Sequence, residues 1–237
     1  MKTLFIYLLI FLILSGCKKT DVQLSDALIA AGENRKELES VLSFYQDDSL
    51  KLEAAKFLIS NMPEHYSYVG ERINQYYDAV DSMILLGYSP NALRDSLSKL
   101  SEHYKAGLDT ISDIKIMTAD YLISNIESAF SLWESKPWAA HLSFSDFCEY
   151  LLPYKTHELQ PFDHWRGYLN TLYSNHLINL EYYDMYRNSA IWATHEINNA
   201  LKNDIHPYLN SQNILPIHRL TTKLKMPFGA CDDYTEL

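Results

Sequence analysis

The sequence predicts a mostly α-helical protein, an irregular helical bundle or array of helical hairpins over residues 24–203. Three observations carry that reading. Apolar residues recur at three- and four-residue spacing through most of the chain, the pattern that lines one face of a helix. Only 7 residues are Gly and 8 are Pro, too few turn formers for a many-stranded β sandwich. Hydrophobic residues make up 47% and charged residues 21%, so a core can form and disorder is disfavoured.

The elements follow in order. Leu24 to Ala31 is a short helical run that Gly32 punctuates, and Glu33 opens a second helix with Leu38, Val41, Leu42 and Tyr45 on one face. Asp47-Asp48-Ser49 is an N-cap cluster for a helix over Leu50–Asn61, which Pro63 closes. Gly70 to Leu86 reads as a helix ending at Gly87. Ser89-Pro90 starts the next, which runs to Tyr104, with proline in the tolerated first position. Asp113 is expected to cap a long helix to Glu134, which Lys136-Pro137 breaks. Ser143 to Asp146 precedes a compact helix, Phe147–Leu152, stopped by Pro153. Helices are expected at Phe162–Leu180 and Arg187–Leu201. From Ile205 to Phe228 the period fades among Pro207, Pro216 and Pro227, and this stretch reads as extended or irregular.

The formal charge is −10 and no basic stripe interrupts it, which excludes nucleic acid as a partner. The histidines show no metal-ligand spacing. His195-Glu196 lacks the second histidine of a zinc-protease helix, since position 199 is Asn, so no metal or other cofactor is expected.

The N-terminus carries an address. Met1-Lys2 supplies a positive charge, and Leu4 to Leu14 is an unbroken apolar run, too short for a membrane span of roughly 20 residues. The run ends Leu14-Ser15-Gly16-Cys17, which resembles the bacterial lipobox. There, small side chains admit the signal peptidase and the cysteine thiol carries the lipid. Residues 1–16 thus read as a lipoprotein signal peptide. Cys17 reads as the lipidation site, and 17–23 as a lipidated tether holding the chain to a membrane of the cell envelope, the outer membrane in this reading. Cys148 and Cys231 remain, too few for a disulfide scaffold, and Cys148, amid Phe147, Tyr150 and Leu151, reads as a buried small hydrophobe.

The sharpest chemical signal is the tail. Gly229 permits a tight turn before Cys231, and the residues after it suit the first turn of a helix. At a helix N-terminus the macrodipole and free N–H groups favour the thiolate, while Asp232 and Asp233 oppose it, so an imidazole partner is needed for activation. Gly229-x-Cys231-x-Asp233-x-Thr235 is similar to the nucleophile motif of the transglutaminase-like superfamily. Five upstream stretches resemble the segments that precede the core in transglutaminase-like lipoproteins of Bacteroidetes type. They are Asp146 to Lys155, Phe162-Asp163-His164-Trp165-Arg166, and Ala31 to Glu39 together with Leu52–Ile59 and Asn61-Met62-Pro63.

That resemblance implies a papain-like α+β core, of which residues 204–237 are the irregular lead-in and the start. It implies Cys231 as nucleophile and chemistry on amide or peptide bonds, by hydrolysis or acyl transfer. In the family a histidine and an aspartate follow the cysteine, whereas all 9 histidines here precede Cys231. Only Cys231 is carried over. The chain is expected to be a fragment ending in the first turns of the core helix, inactive by itself. The alternative is a non-catalytic lipoprotein whose helical surface holds a glycan, peptide or protein. For that role Trp133, Trp138, Trp165 and Trp192 are candidate stacking groups, with core packing the default. Asp163-His164-Trp165-Arg166 reads as a turn and helix start with a partly buried indole, and Glu181 to Arg187 as a helix connection.

Overall fold

The structure is a computed structural model that describes residues 21–182, 186–204, 208–209, 219, 222 and 228–229. It is mostly helical. Its helices are α1 (21–30), α2 (Arg35–Phe44), α3 (Ser49–Asn61), α4 (Glu71–Leu85), α5 (Pro90–Tyr104), α6 (Ala119–Ser135), α7 (Phe144–Asp146), α8 (Trp165–Tyr182) and α9 (Ala190–Asp204). Strands β1 (Tyr66–Val69) and β2 (Asp109–Ser112) form one two-stranded sheet. The short strands β3 (Tyr208–Leu209) and β4 (Phe228–Gly229) pair in parallel, Tyr208 opposite Phe228; most of the stretch 205–228, read from sequence as extended or irregular, lies outside the described residues. The chain divides into two compact units. One comprises Met1–Tyr66 and Ser112–Ile126, the other Ser67–Ile111 and Glu127–Leu237.

In the first unit α1 and α2 are joined through Gly32, whose φ of 60° only glycine adopts without strain. The core is Leu38, Val41, Tyr45, Ala55, Leu58, Ile59, Met62, Ile114, Met117 and Leu122, all buried. Polar ties fix its irregular connections. The Asn34 side-chain amide donates to the carbonyls of Ile114 and Met117, each at 2.9 Å. Asp48 caps α3 as expected, its carboxylate accepting from Lys51 N–H at 3.1 Å.

The start of α6 differs from the sequence expectation. Asp113 is fully buried in a 3₁₀ turn, its N–H donating to the His65 carbonyl, and its own carbonyl is used by Ile116 and Met117. The long helix begins only at Ala119. Thr118 Oγ1 accepts from Tyr121 N–H, and Glu37 accepts from Ala119 N–H at 2.7 Å. A carboxylate recruited from α2 therefore serves as anion at the positive end of α6.

In the second unit α4 and α5 form a hairpin turned at Gly87 (φ 67°), packed around Ile73, Tyr76, Tyr77, Val80, Leu93 and Leu97. Arg72 donates to the carbonyls of His103, Tyr104 and Ala106, placing a cation on the orphan carbonyls at the end of α5. Farther along, α7 begins at Phe144, capped by Ser143, whose hydroxyl accepts from Asp146 N–H, about one turn earlier than the spacing predicts. It continues as a π turn over Phe147–Leu151, closed by Leu152 N–H to the Phe147 carbonyl. Pro153 ends it. Above it, Trp133 stacks on Phe147 with centroids 4.3 Å apart, and Phe130 meets Phe147 edge-on.

Burial pushes the hydroxyls of Tyr76 and Tyr77 well above the ordinary tyrosine value. For Tyr77 the Arg219 cation works against that rise and Tyr68 adds to it. A folded-state value above the unfolded one means the unfolded chain loses its phenolic protons first. The stability they contribute is complete below pH about 10 and declines as pH rises beyond it. Titration followed by phenolate absorbance should show these two tyrosines ionising only with loss of the helical circular dichroism signal.

Candidate functional site

The site is built around the chain between Pro153 and Arg166. Pro153 leaves two carbonyls, its own and that of Tyr154, outside any helix. The first turn of α8 satisfies both. Trp165 Nε1–H donates to Tyr154 O at 3.0 Å, and Arg166 Nη2 donates to Pro153 O at 2.7 Å. Arg166 also lies over the Trp165 ring, its guanidinium carbon 4.5 Å from the centroid. The helix start that the sequence suggested at Asp163–Arg166 is thus present, with the indole partly buried.

The intervening loop is tied by side chains. Gln160 Oε1 accepts from Thr156 N–H, Thr156 Oγ1 and His157 N–H. Leu159 takes a positive φ of 65°, uncommon for a residue with a Cβ, and forms an isolated bridge to Ser67. Next to it, buried Lys155 donates to buried Ser67 Oγ at 3.3 Å and lies over the rings of Tyr154 and Phe162. A lysine beside a serine is a nucleophile pairing in some hydrolases. Here both side chains are buried, and the pair ties the loop to β1.

Against this frame lies a cleft of about 200 Å³. One wall is the face of α8 carrying Trp165, Arg166, Leu169, Asn170, Tyr173, Ser174 and Leu177. The other is formed by Leu132, Trp138, Leu151 and Ile197. The α8 positions follow three- and four-residue spacing, so one helix face supplies most of the lining. Trp138 also packs on the cluster of Leu177 and Ala193 that joins α8 to α9. Its indole Nε1–H is buried and has no acceptor among the described residues.

The two residues that the sequence singled out for chemistry, Cys17 and Cys231, lie outside the described residues. Cys148 is buried at 4% exposure, as its apolar neighbours suggested. Of the four tryptophans, Trp133 is part of the aromatic stack, donating to Leu142 O, and Trp192 packs on Tyr186 and His195. Trp138 and Trp165 line the cleft, a pairing that nothing in their sequence spacing announced. His195 Nε2 is 3.0 Å from Asn199 Nδ2, so the position where a zinc helix would carry a second histidine holds its hydrogen-bond partner. Among the described residues no group of three His, Cys, Asp or Glu side chains is arranged to hold a metal, and no helix is long and apolar enough to cross a membrane.

Two described residues of the C-terminal stretch, Arg219 and Thr222, meet α4. Arg219 Nη1 is 3.1 Å from Asp81 Oδ2, Thr222 Oγ1 donates to Asp81 Oδ1 at 2.9 Å, and the Arg219 guanidinium lies over the Tyr77 ring. A single carboxylate on α4 therefore meets both Arg219 and Thr222.

Compared with protein-family models, curated proteins and solved structures, the chain matches none.

Proposed function

We propose that the chain is the N-terminal part of a membrane-anchored, transglutaminase-like cysteine enzyme of the cell envelope, with Cys17 as lipid acceptor and Cys231 as nucleophile. The observation that carries this reading is the Gly229-x-Cys231-x-Asp233-x-Thr235 motif. Two features of the second unit support it. The chain approaches the motif along β4, which ends at Gly229. Two of the upstream stretches that resemble the family's lead-in, 146–155 and 162–166, are joined by the Trp165 and Arg166 hydrogen bonds. In the proposed reaction the thiolate adds to an amide carbonyl, a C–S bond forms and the C–N bond breaks. The amine leaves with a proton, and water or a second amine then takes the acyl group from the thioester. The imidazole for that proton traffic follows the cysteine in the family, whereas the 9 histidines of this sequence precede Cys231.

The cleft favours a second reading, a non-catalytic lipoprotein that holds a glycan, peptide or protein ligand, with Cys231 incidental. Alkylation kinetics of the full-length gene product separate the two. Under the catalytic reading Cys231 reacts with iodoacetamide with an apparent pKa clearly below about 8.5, while buried Cys148 reacts only on unfolding. A Cys231 value equal to that of a free thiol would count against catalysis. Separately, Cys17→Ala should abolish labelling by radioactive palmitate and release the protein from the membrane fraction. Unchanged labelling would exclude Cys17 as acceptor.

A further inference from the structure

The turn of the α4–α5 hairpin carries apolar side chains that its core does not use. The hairpin packs through Ile73, Tyr76, Tyr77, Val80, Leu93 and Leu97. At the turn, Leu85 and Leu86 are 87% and 73% exposed, and Tyr88 beside them is 43% exposed. Single exposed leucines are ordinary on a protein surface. Here three large apolar side chains fall within one four-residue turn, and packing inside the fold does not account for them.

The surroundings suit contact with lipid. Residues 82–93 include no charged side chain, although the sequence has a formal charge of −10. The acidic residue that precedes this stretch, Asp81, is engaged by Arg219 and Thr222. Polar groups at the turn are bonded internally. Leu86 N–H donates to the Ser82 carbonyl at 3.0 Å, Gly87 N–H donates to the Ile84 carbonyl at 3.1 Å, and the Ser82 hydroxyl donates to the Asp78 carbonyl. These donors can leave water without being stranded, which is the condition a bilayer imposes on any backbone that enters it. Tyr88 adds an amphipathic ring of the kind enriched at headgroup depth.

Area decides against a protein partner. At roughly 200 Å² for a large side chain, the three exposures amount to on the order of 400 Å². A stable protein–protein interface takes about 800 Å² from each partner. A bilayer needs no matching socket, since each side chain that enters it contributes through its own apolar area. We infer that the α4–α5 turn is a membrane-contact site, with Leu85 and Leu86 entering the acyl boundary of a bilayer and Tyr88 at headgroup depth. The inference rests on the membrane-anchored reading above, which brings a bilayer within reach, and it gives the second unit a contact of its own with that surface.

The test uses the gene product expressed from Lys18, which keeps every described residue and lacks both signal sequence and lipid. Mixed with phosphatidylcholine vesicles, it should co-sediment with them. Leu85→Ser combined with Leu86→Ser should lower the partition coefficient about tenfold or more. The circular dichroism spectrum should be unchanged, because both side chains lie outside the core. In bicelles that contain a doxyl-labelled lipid, the methyl signals of Leu85 and Leu86 should broaden, and that of Leu172, an exposed leucine of α8, should not. The inference is overturned if the chain does not partition, if the serine variant partitions equally, or if Leu172 broadens as strongly. It is also overturned if the same substitutions dissolve a dimer seen by sedimentation velocity without vesicles, since a second copy would then cover the turn. Palmitate labelling at Cys17 is scored separately, so a turn that fails leaves the anchor reading standing.

Discussion

Two hydrogen bonds from the first turn of α8 organise the second unit: Trp165 to the Tyr154 carbonyl and Arg166 to the Pro153 carbonyl. They answer a problem that Pro153 creates. A proline stops the π turn and leaves its neighbouring carbonyls in a half-buried place without helical donors. Side-chain donors resolve it, and in doing so they set where α8 begins. Because Trp165 and Arg166 are fixed there, the residues three and four positions on (Leu169, Asn170, Tyr173 and Ser174) face the same cleft. The Gln160 carbonyl and the buried Lys155–Ser67 contact hold the rest of the loop, including Leu159 in its left-handed conformation.

The same device recurs in the first unit. Asn34 and Glu37 on one side serve the carbonyls and N–H groups around α6 on the other, where no regular ladder is available. In both units the apolar core supplies the driving force, and a few side-chain amides, carboxylates and guanidinium groups fix how irregular backbone meets it. In the second unit Asp81 does the same for Arg219 and Thr222.

Much of the helical fold was legible in the sequence because helices announce themselves locally. Asp48, Gly32 and Gly87 mark boundaries by their own chemistry, and the periodic apolar faces of α4 and α5 survive unaided. The strands β1 and β2 were not legible. Each spans four residues with no clean alternation of buried and exposed positions, and it is their pairing with each other that makes them strands. Asp113 looked like a cap because it is acidic and precedes a periodic run. What its sequence could not show is that the His65 carbonyl claims its N–H. The cleft was illegible for a similar reason. Trp138 and Trp165 lie far apart in sequence, and it is the Pro153 break and the start of α8 that bring them to the same cleft. The cysteine motif, by contrast, is visible only as sequence, since Cys17 and Cys231 fall outside the described residues.

The indole of Trp165 therefore serves as a hydrogen-bond donor as well as a packed ring. Urea unfolding of Trp165→Phe measures this directly, since the substitution retains an aromatic ring and deletes the N–H. The account predicts a loss of about 1–3 kcal/mol, the penalty for leaving the Tyr154 carbonyl unsatisfied. An unfolding midpoint equal to that of the unsubstituted protein would contradict it.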